Sequence, residues 1–368
     1  MRIPFLDLKR QYSEVSTEVA FALERVLAGG SYILGDQVEC FETEWANFCG
    51  VRGAAMVNSG TDALTLALIA SGAVREQGVD EVITTALAPG YTALAVVNAG
   101  GIPVFADIDP RSYSLDPAAI EKAITSKTRA ILAVHLYGQM ADMQAIGEIA
   151  SRHKLIVIED AAQAHGASLN GKVAGAQGQA AGFSFYPTKN LGAYGDGGAV
   201  TSDDSELIER VKVLRQGGHL AGMQTPIAGL NSRLDEVQAA VLRVKLKHLI
   251  DWNRRRKELA RIYDEAFASS AIETPVRVDE DSHNFHLYVI QHPERDRLRS
   301  YLFDRGIETV VHYPFLLHQQ PLFKRNDGPT ELPVAQRVVD RIVSLPLYPQ
   351  LASAEVEEVA AEILAFGI

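Results

Sequence analysis

The chain reads as an α/β protein: a large domain over residues 1–245 built on a mainly parallel sheet, opened by an N-terminal docking segment over 1–30, and a smaller C-terminal α+β domain over 246–368. Three observations predict this. Short apolar runs recur between helical periods from Ala54 to Ile158, the rhythm that parallel strands with crossover helices require. Beyond about Leu246 that rhythm changes, with Phe285–Gln291 alternating with the helical stretch Arg297–Asp304. The 368 residues, 47% hydrophobic and 22% charged, suffice for two cores of ordinary composition.

Taken in order, Val15, Val19, Leu23, Val26 and Leu27 give a docking helix over Gln11–Leu27 that Gly29 and Gly30 end. Phe41, Trp45 and Phe48 mark a second amphipathic helix stopped by Gly50, its aromatics read as core. Ala54–Val57 is a buried strand; Asn58, Ser59, Gly60, Thr61 and Asp62 turn the chain into the helix Ala63–Ala70. Such a turn aims backbone N–H groups and the positive helix end at an anion, although a plain cap by Ser59 or Thr61 fits the same residues. Strand Val82–Ala86 leads to Pro89, Gly90 and Tyr91, whose ring can stack on a flat ligand or simply fill core. Strands Pro103–Ile108 and Ala130–His135 flank a helix over Pro117–Ile124, which leaves His135 at a strand end as a site-lining residue.

Leu155–Ile158 is apolar throughout, as in a strand buried on both faces, and Glu159 and Asp160 close it. Ligands of open α/β sheets bind at such carboxyl ends, which points Asp160 into a site, while capping of a helix starting at Ala161 is the alternative. Gln163 then lies one helical turn further on. The stretch Phe183–Val200 sets Lys189 between an apolar run and Gly192, Gly195, Gly197 and Gly198. A partly desolvated lysine can act as a neutral amine and form a Schiff base with an aldehyde; the plainer reading is a surface lysine in a glycine-rich loop. A carboxylate able to keep a pyridinium protonated, together with such a lysine, is what pyridoxal phosphate requires. Leu207–Leu214 and Arg233–Ile250 follow as helices, and Arg254–Lys257 reads as a solvated basic face.

The ordered motifs FLDLKRQY, SGTDAL, HLYGQ, EDAAQAHGA, SFYPTKNLGAYGDGG and LNSRLDEVQAA resemble those of the DegT/DnrJ/EryC1/StrS sugar aminotransferases, fold type I pyridoxal phosphate enzymes, nearly end to end. The resemblance implies catalysis by Lys189 and Asp160. It implies cofactor contacts from Gly60, Thr61, Asp62, Tyr91, Gln163 and Ser184, with Asn231 reaching across a homodimer to the partner's cofactor phosphate. Tyr186, His312, Tyr313 and His318 join His135 as substrate-lining candidates without individual assignments. Implied substrates are a nucleotide-linked keto-sugar and an amino-acid donor, glutamate by analogy. Tyr91 after Gly90, the His135–Gln139 turn, and Gln163 with His165 are similar to the 3-ketosugar branch. Alternatives are a 4-keto-sugar or aminocyclitol aminotransferase, a dehydratase, disfavoured because Lys189 is present, and a silent regulatory relative. Asp196 stands where many relatives carry glutamate.

A net charge of −11 argues against a broad nucleic-acid footprint, and no metal site is expected. Two cysteines, no signal-like N-terminus and no apolar run of membrane length lead to the expectation of a cytoplasmic protein with no membrane contact.

Overall fold

Asp7 accepts the N–H groups of Lys9 and Arg10, donors that the first turn of a helix leaves unpaired, and α1 runs Leu8–Gly29 until Gly30 turns left-handed at φ 71°. The same end closes α2 (Asp36–Cys49), where Gly50 adopts φ 72°. The computed structural model describes residues 2–219, 224–225, 227–324 and 331–367.

From there strand and helix alternate: β1 (Gly53–Val57), α3 (Gly60–Ala70), β2 (Glu81–Thr85), α4 (Gly90–Asn98), β3 (Ile102–Ala106), α5 (Pro117–Ala123), β4 (Thr128–Val134), α6 (Met143–His153) and β5 (Ile156–Asp160). A short hairpin, β6 (Ser168–Leu169) with β7 (Lys172–Val173), precedes β8 (Ala180–Ser184), β9 (Gly198–Ser202) and α7 (Ser205–Leu214). Seven strands form one sheet in the order β1-β9-β8-β5-β4-β2-β3. Only β9 runs against its neighbours, pairing antiparallel with β1 and β8, so six strands end at one edge. The sheet is buried on both faces: Ala54 and Met56 pack with Trp45, Phe183 and Ile146, whereas Ala55 and Val57 pack with Leu64, Leu66 and Val211. That double burial is why the strands read as continuous apolar runs.

The single helix expected over Arg233–Ile250 is two: α8 (Glu236–Leu246) and α9 (Leu249–Phe267), joined through Lys247 and His248. The apolar period continues across the joint, but α8 packs on α1 and α2 whereas α9 packs on α12 (Ser353–Phe366). The C-terminal layer adds the antiparallel pair β10 (Tyr288–Gln291) and β11 (Ile342–Leu345), with α10 (Arg295–Asp304) and α11 (Pro333–Val339). Its core, around Tyr263, Phe285, Tyr288 and Val359, also takes in Ile3, which bridges to Ile307. The basic run is not wholly solvated. Arg256 is buried and donates to the carbonyls of Phe285, His286 and Leu347, and burial lowers its pKa to about 9. No helix among the described residues is long and apolar enough to cross a membrane.

Candidate active site

The carboxyl ends of β1, β4, β5 and β8 meet along one sheet edge, and Asp160 is the last residue of β5. The residue is 4% exposed; its Oδ2 accepts the Thr92 hydroxyl at 2.7 Å and its Oδ1 the Ala162 N–H at 3.2 Å. Burial raises its pKa, opposed by the Thr92 and Ala162 bonds and by the charge of Lys189. No helix starts at Ala161: residues 161–167 form two turns, closed by Ala164 N–H to Ala161 O and Ala167 N–H to Ala164 O. The helix-cap alternative for Asp160 therefore falls, and Gln163 reaches the cleft from a turn. Its Oε1 accepts the Tyr137 N–H at 2.6 Å and its Nε2 donates to the Tyr313 hydroxyl at 3.0 Å. The Tyr313 pKa is pushed up by burial, with the Asp160 charge adding to it.

Lys189 sits in the loop between β8 and β9, held by its N–H donating to Tyr186 O at 2.9 Å and by Ala193 N–H donating to Phe185 O at 2.7 Å. Burial lowers its pKa to about 8, while the Asp160 carboxylate pulls the other way. The glycines of this loop serve the chain's own packing. A Cβ on Gly192 would meet Pro187 O at 2.4 Å, and one on Gly198 would meet Ser59 O at 2.3 Å. Tyr186 is exposed and borders a cavity of about 400 Å³ beside the loop, lined also by His286, His312, Arg256 and Glu308.

Across the edge lies the start of α3. Ser59 caps it, its Oγ accepting the Asp62 N–H at 3.1 Å, so the Asp62 amide expected to face an anion is already engaged. The amides of Gly60 and Thr61 stand ahead of it in the first turn, where a helix leaves donors without internal partners. Gly60 packs directly on β8: a Cβ there would meet Ser184 Cβ at 2.7 Å, which puts the Ser184 hydroxyl beside the helix end. Tyr91 is 67% exposed in the first turn of α4, next to Thr92, and Asn231 is exposed on the surface.

Two candidates lie elsewhere. His135 is fully buried, its Nε2 with Glu159 Oε2 at 2.9 Å and its Nδ1 accepting the Ala141 N–H at 3.1 Å, which leaves no ring nitrogen for a ligand. Burial pushes the Glu159 pKa upward, yet His135 and the amides of Gly175 and Gly178 hold it below the usual range. His318 lines a separate cavity with Phe105 and Asp107 at the β3 edge, three strands from β5. His312 is at the cleft, Nδ1 at 2.9 Å from Ser344 Oγ, its pKa lowered to about 4 by burial and the Lys189 charge.

Sequence reasoning missed Thr92, His286 and Ser232. Thr92 carried one legible signal, a hydroxyl beside Tyr91 at a strand end. His286 and Ser232 gave none, because their neighbours come from far along the chain: His286 Nδ1 lies 3.2 Å from Asn190 Oδ1, and Ser232 Oγ 2.6 Å from Asp62 Oδ2.

These residues suit pyridoxal phosphate on structural grounds: a helix end with available amides and a serine for a phosphate, a buried carboxylate for a ring nitrogen, and a lysine of lowered pKa for an aldehyde. Comparison with known proteins agrees. The model of the "DegT/DnrJ/EryC1/StrS aminotransferase family" matches residues 14–364. A "Pleiotropic regulatory protein" of Geobacillus stearothermophilus is 44% identical over 372 residues, covering 100% of this chain and 99% of its own. The "dTDP-3-amino-3,4,6-trideoxy-alpha-D-glucose transaminase" of Streptomyces venezuelae is 46% identical over 356 residues, covering 95% and 92%. The crystal structure of S. venezuelae DesV in complex with a ketimine intermediate superposes with a TM-score of 0.95 at 44% identity, over 99% of this chain and 98% of that one.

Proposed function

The chain belongs to the DegT/DnrJ/EryC1/StrS aminotransferase family and is a pyridoxal phosphate-dependent aminotransferase; we propose that it moves an amino group from an amino acid, glutamate by family analogy, to the C3 ketone of a nucleotide-linked 6-deoxyhexose. The observation that carries the reading is the Asp160–Lys189 pair: a buried carboxylate at a strand end and a lysine of lowered pKa within its field.

When bound, the cofactor supplies an aldehyde carbon that takes up amines and a ring that accepts the electron pair left at a deprotonated carbon. Lys189 Nζ would hold that aldehyde and, when freed as a neutral amine, would serve as the base that takes up and returns the proton of the donor Cα. Asp160 would hold the proton on the ring nitrogen, its Oδ2 fixed by the Thr92 hydroxyl. Gly60, Thr61 and Ser184 would hold the phosphate, the exposed Tyr91 ring would lie against the cofactor, and Gln163 would fix Tyr313 through its 3.0 Å bond to the hydroxyl. Asn231, exposed on the surface, would complete the phosphate site of a second copy in a homodimer. With the amine passed on to a keto-sugar in a second half-reaction, the kinetics would be ping-pong.

Amination at C3 is supported by the Tyr91, Gln163 and His165 pattern and by the 3-amino sugar in the name of the Streptomyces relative. The test offers matched 3-keto and 4-keto nucleotide sugars with glutamate and locates the new amine by NMR. Turnover of the 3-keto compound is expected; turnover of the 4-keto compound alone overturns the position. The name of the Geobacillus relative favours a second reading, a regulatory protein on this fold. A purified protein that takes up no cofactor and turns over neither sugar would support it.

A further inference from the structure

Asp62 is the third residue of α3, the position from which an acidic side chain commonly reaches back to the N-cap amide. Here its carboxylate is directed elsewhere: Oδ2 accepts the Ser232 hydroxyl at 2.6 Å. Ser232 is fully buried, and its Oγ also accepts the Asn58 N–H at 3.0 Å, so the hydroxyl proton is committed to Asp62. The backbone behind it is anchored, Ser232 N–H donating to Arg215 O at 2.9 Å. Arg215 is itself buried, bonded to Glu42 and, at 2.8 Å, to Met56 O.

A carboxylate in the first turn suits the helix dipole, but at the mouth of the helix it would repel a phosphate dianion. We infer that Ser232 is a positioning residue that holds the Asp62 carboxylate back from the anion seat at Gly60 and Thr61, so that a doubly charged phosphate is accepted there. This rests on the reading of the α3 end as the phosphate seat. Without Ser232, Asp62 is released to swing toward the N-cap amide, as acidic residues at this position do in other helices.

The test titrates the cofactor-stripped full chain with pyridoxal phosphate and with pyridoxal, which lacks the phosphate. Ser232→Ala should weaken pyridoxal phosphate about tenfold, about 1.4 kcal/mol, and pyridoxal less than about twofold. In an Asp62→Asn background the same Ser232→Ala change should cost less than about twofold, because the repelling charge is gone. A purely structural serine would instead weaken both ligands alike and cost as much in either background; that result overturns the inference. Ser184→Ala, which leaves the Ser232–Asp62 pair intact, separates the two readings. If it lowers the preference for the phosphorylated ligand while Ser232→Ala does not, the inference alone fails; if neither changes the preference, the phosphate seat is misplaced and the inference falls with it.

Discussion

Replacing Asp160 by asparagine keeps the shape of the β5 terminus and removes one charge. Asparagine can still accept the Ala162 N–H, 3.2 Å away in the native chain, and can donate to Thr92 Oγ1, which now gives its proton to Oδ2 at 2.7 Å. On the proposed mechanism, what is lost is the partner of the ring nitrogen. An opposite charge at that range favours the protonated form by about 1–3 pK units, and each unit is about 1.4 kcal/mol. The barrier should rise by about 1.4–4 kcal/mol, slowing the single-turnover half-reaction with glutamate by about tenfold to a thousandfold. A rate within about threefold of the wild type, about 0.65 kcal/mol, would refute the pyridinium assignment. Stability should move the other way. Burial raises the Asp160 pKa, so the folded chain binds that proton more tightly than the unfolded one. Stability therefore falls as pH climbs from the unfolded value through the raised folded value, and the penalty stands in full above the folded value. Cofactor-free Asp160→Asn should melt at or above the wild-type Tm at pH 7, with the advantage gone below both pKa values. A lower Tm at pH 7 would contradict this account of the carboxylate.

Thr92→Val should leave the fold intact and lower the half-reaction rate by about tenfold or more, since bonds to charged groups contribute about 1.5–3 kcal/mol; the acid limb of the pH–rate profile should also move up, because the Thr92 bond lowers the Asp160 pKa. Cofactor uptake by the stripped enzyme should accelerate through a pH of about 8, where Lys189 becomes neutral, and a midpoint near the ordinary lysine value would show that the side chain is solvated. Asn231→Ala mixed with Lys189→Ala should give partial activity from subunits that are inactive alone, if sites are shared; sedimentation showing a fully active monomer would remove Asn231 from the site.

Legibility in the sequence followed burial and distance along the chain. Ile156–Asp160 and Ala54–Val57 were readable because strands covered on both faces stay apolar throughout, and their ends placed Asp160 and Gly60 at one edge. The fold type and the cofactor were therefore accessible before any coordinates. Ser232 was not: it meets Asp62 170 positions away, and nothing local marks a serine destined for such a bond. His135 misled because a strand end implies exposure to a cleft, whereas the turn after β4 folds its ring onto Glu159. The turns after Asp160 were not legible, since Ala161, Ala164 and Ala167 are all fully buried at a spacing of three that two successive tight turns satisfy as well as a helix does. The glycines around Lys189 allow close approach of the chain's own backbone, Pro187 O at Gly192 and Ser59 O at Gly198.

Two lysines of the described chain have pKa values depressed by burial, and they give the central claim its most direct test. Lys245, at about 7, is shifted further than Lys189, at about 8. Its Nζ, however, donates to Gly192 O and lies 4.9 Å from the centre of the Tyr194 ring, whereas Lys189 lies within the field of the Asp160 carboxylate. Geometry therefore selects Lys189 where pKa alone would select Lys245. Borohydride reduction of the cofactor-loaded protein, followed by peptide mass spectrometry, should place the pyridoxyl mass on Lys189 alone; the same mass on Lys245, or on no lysine, would contradict the account.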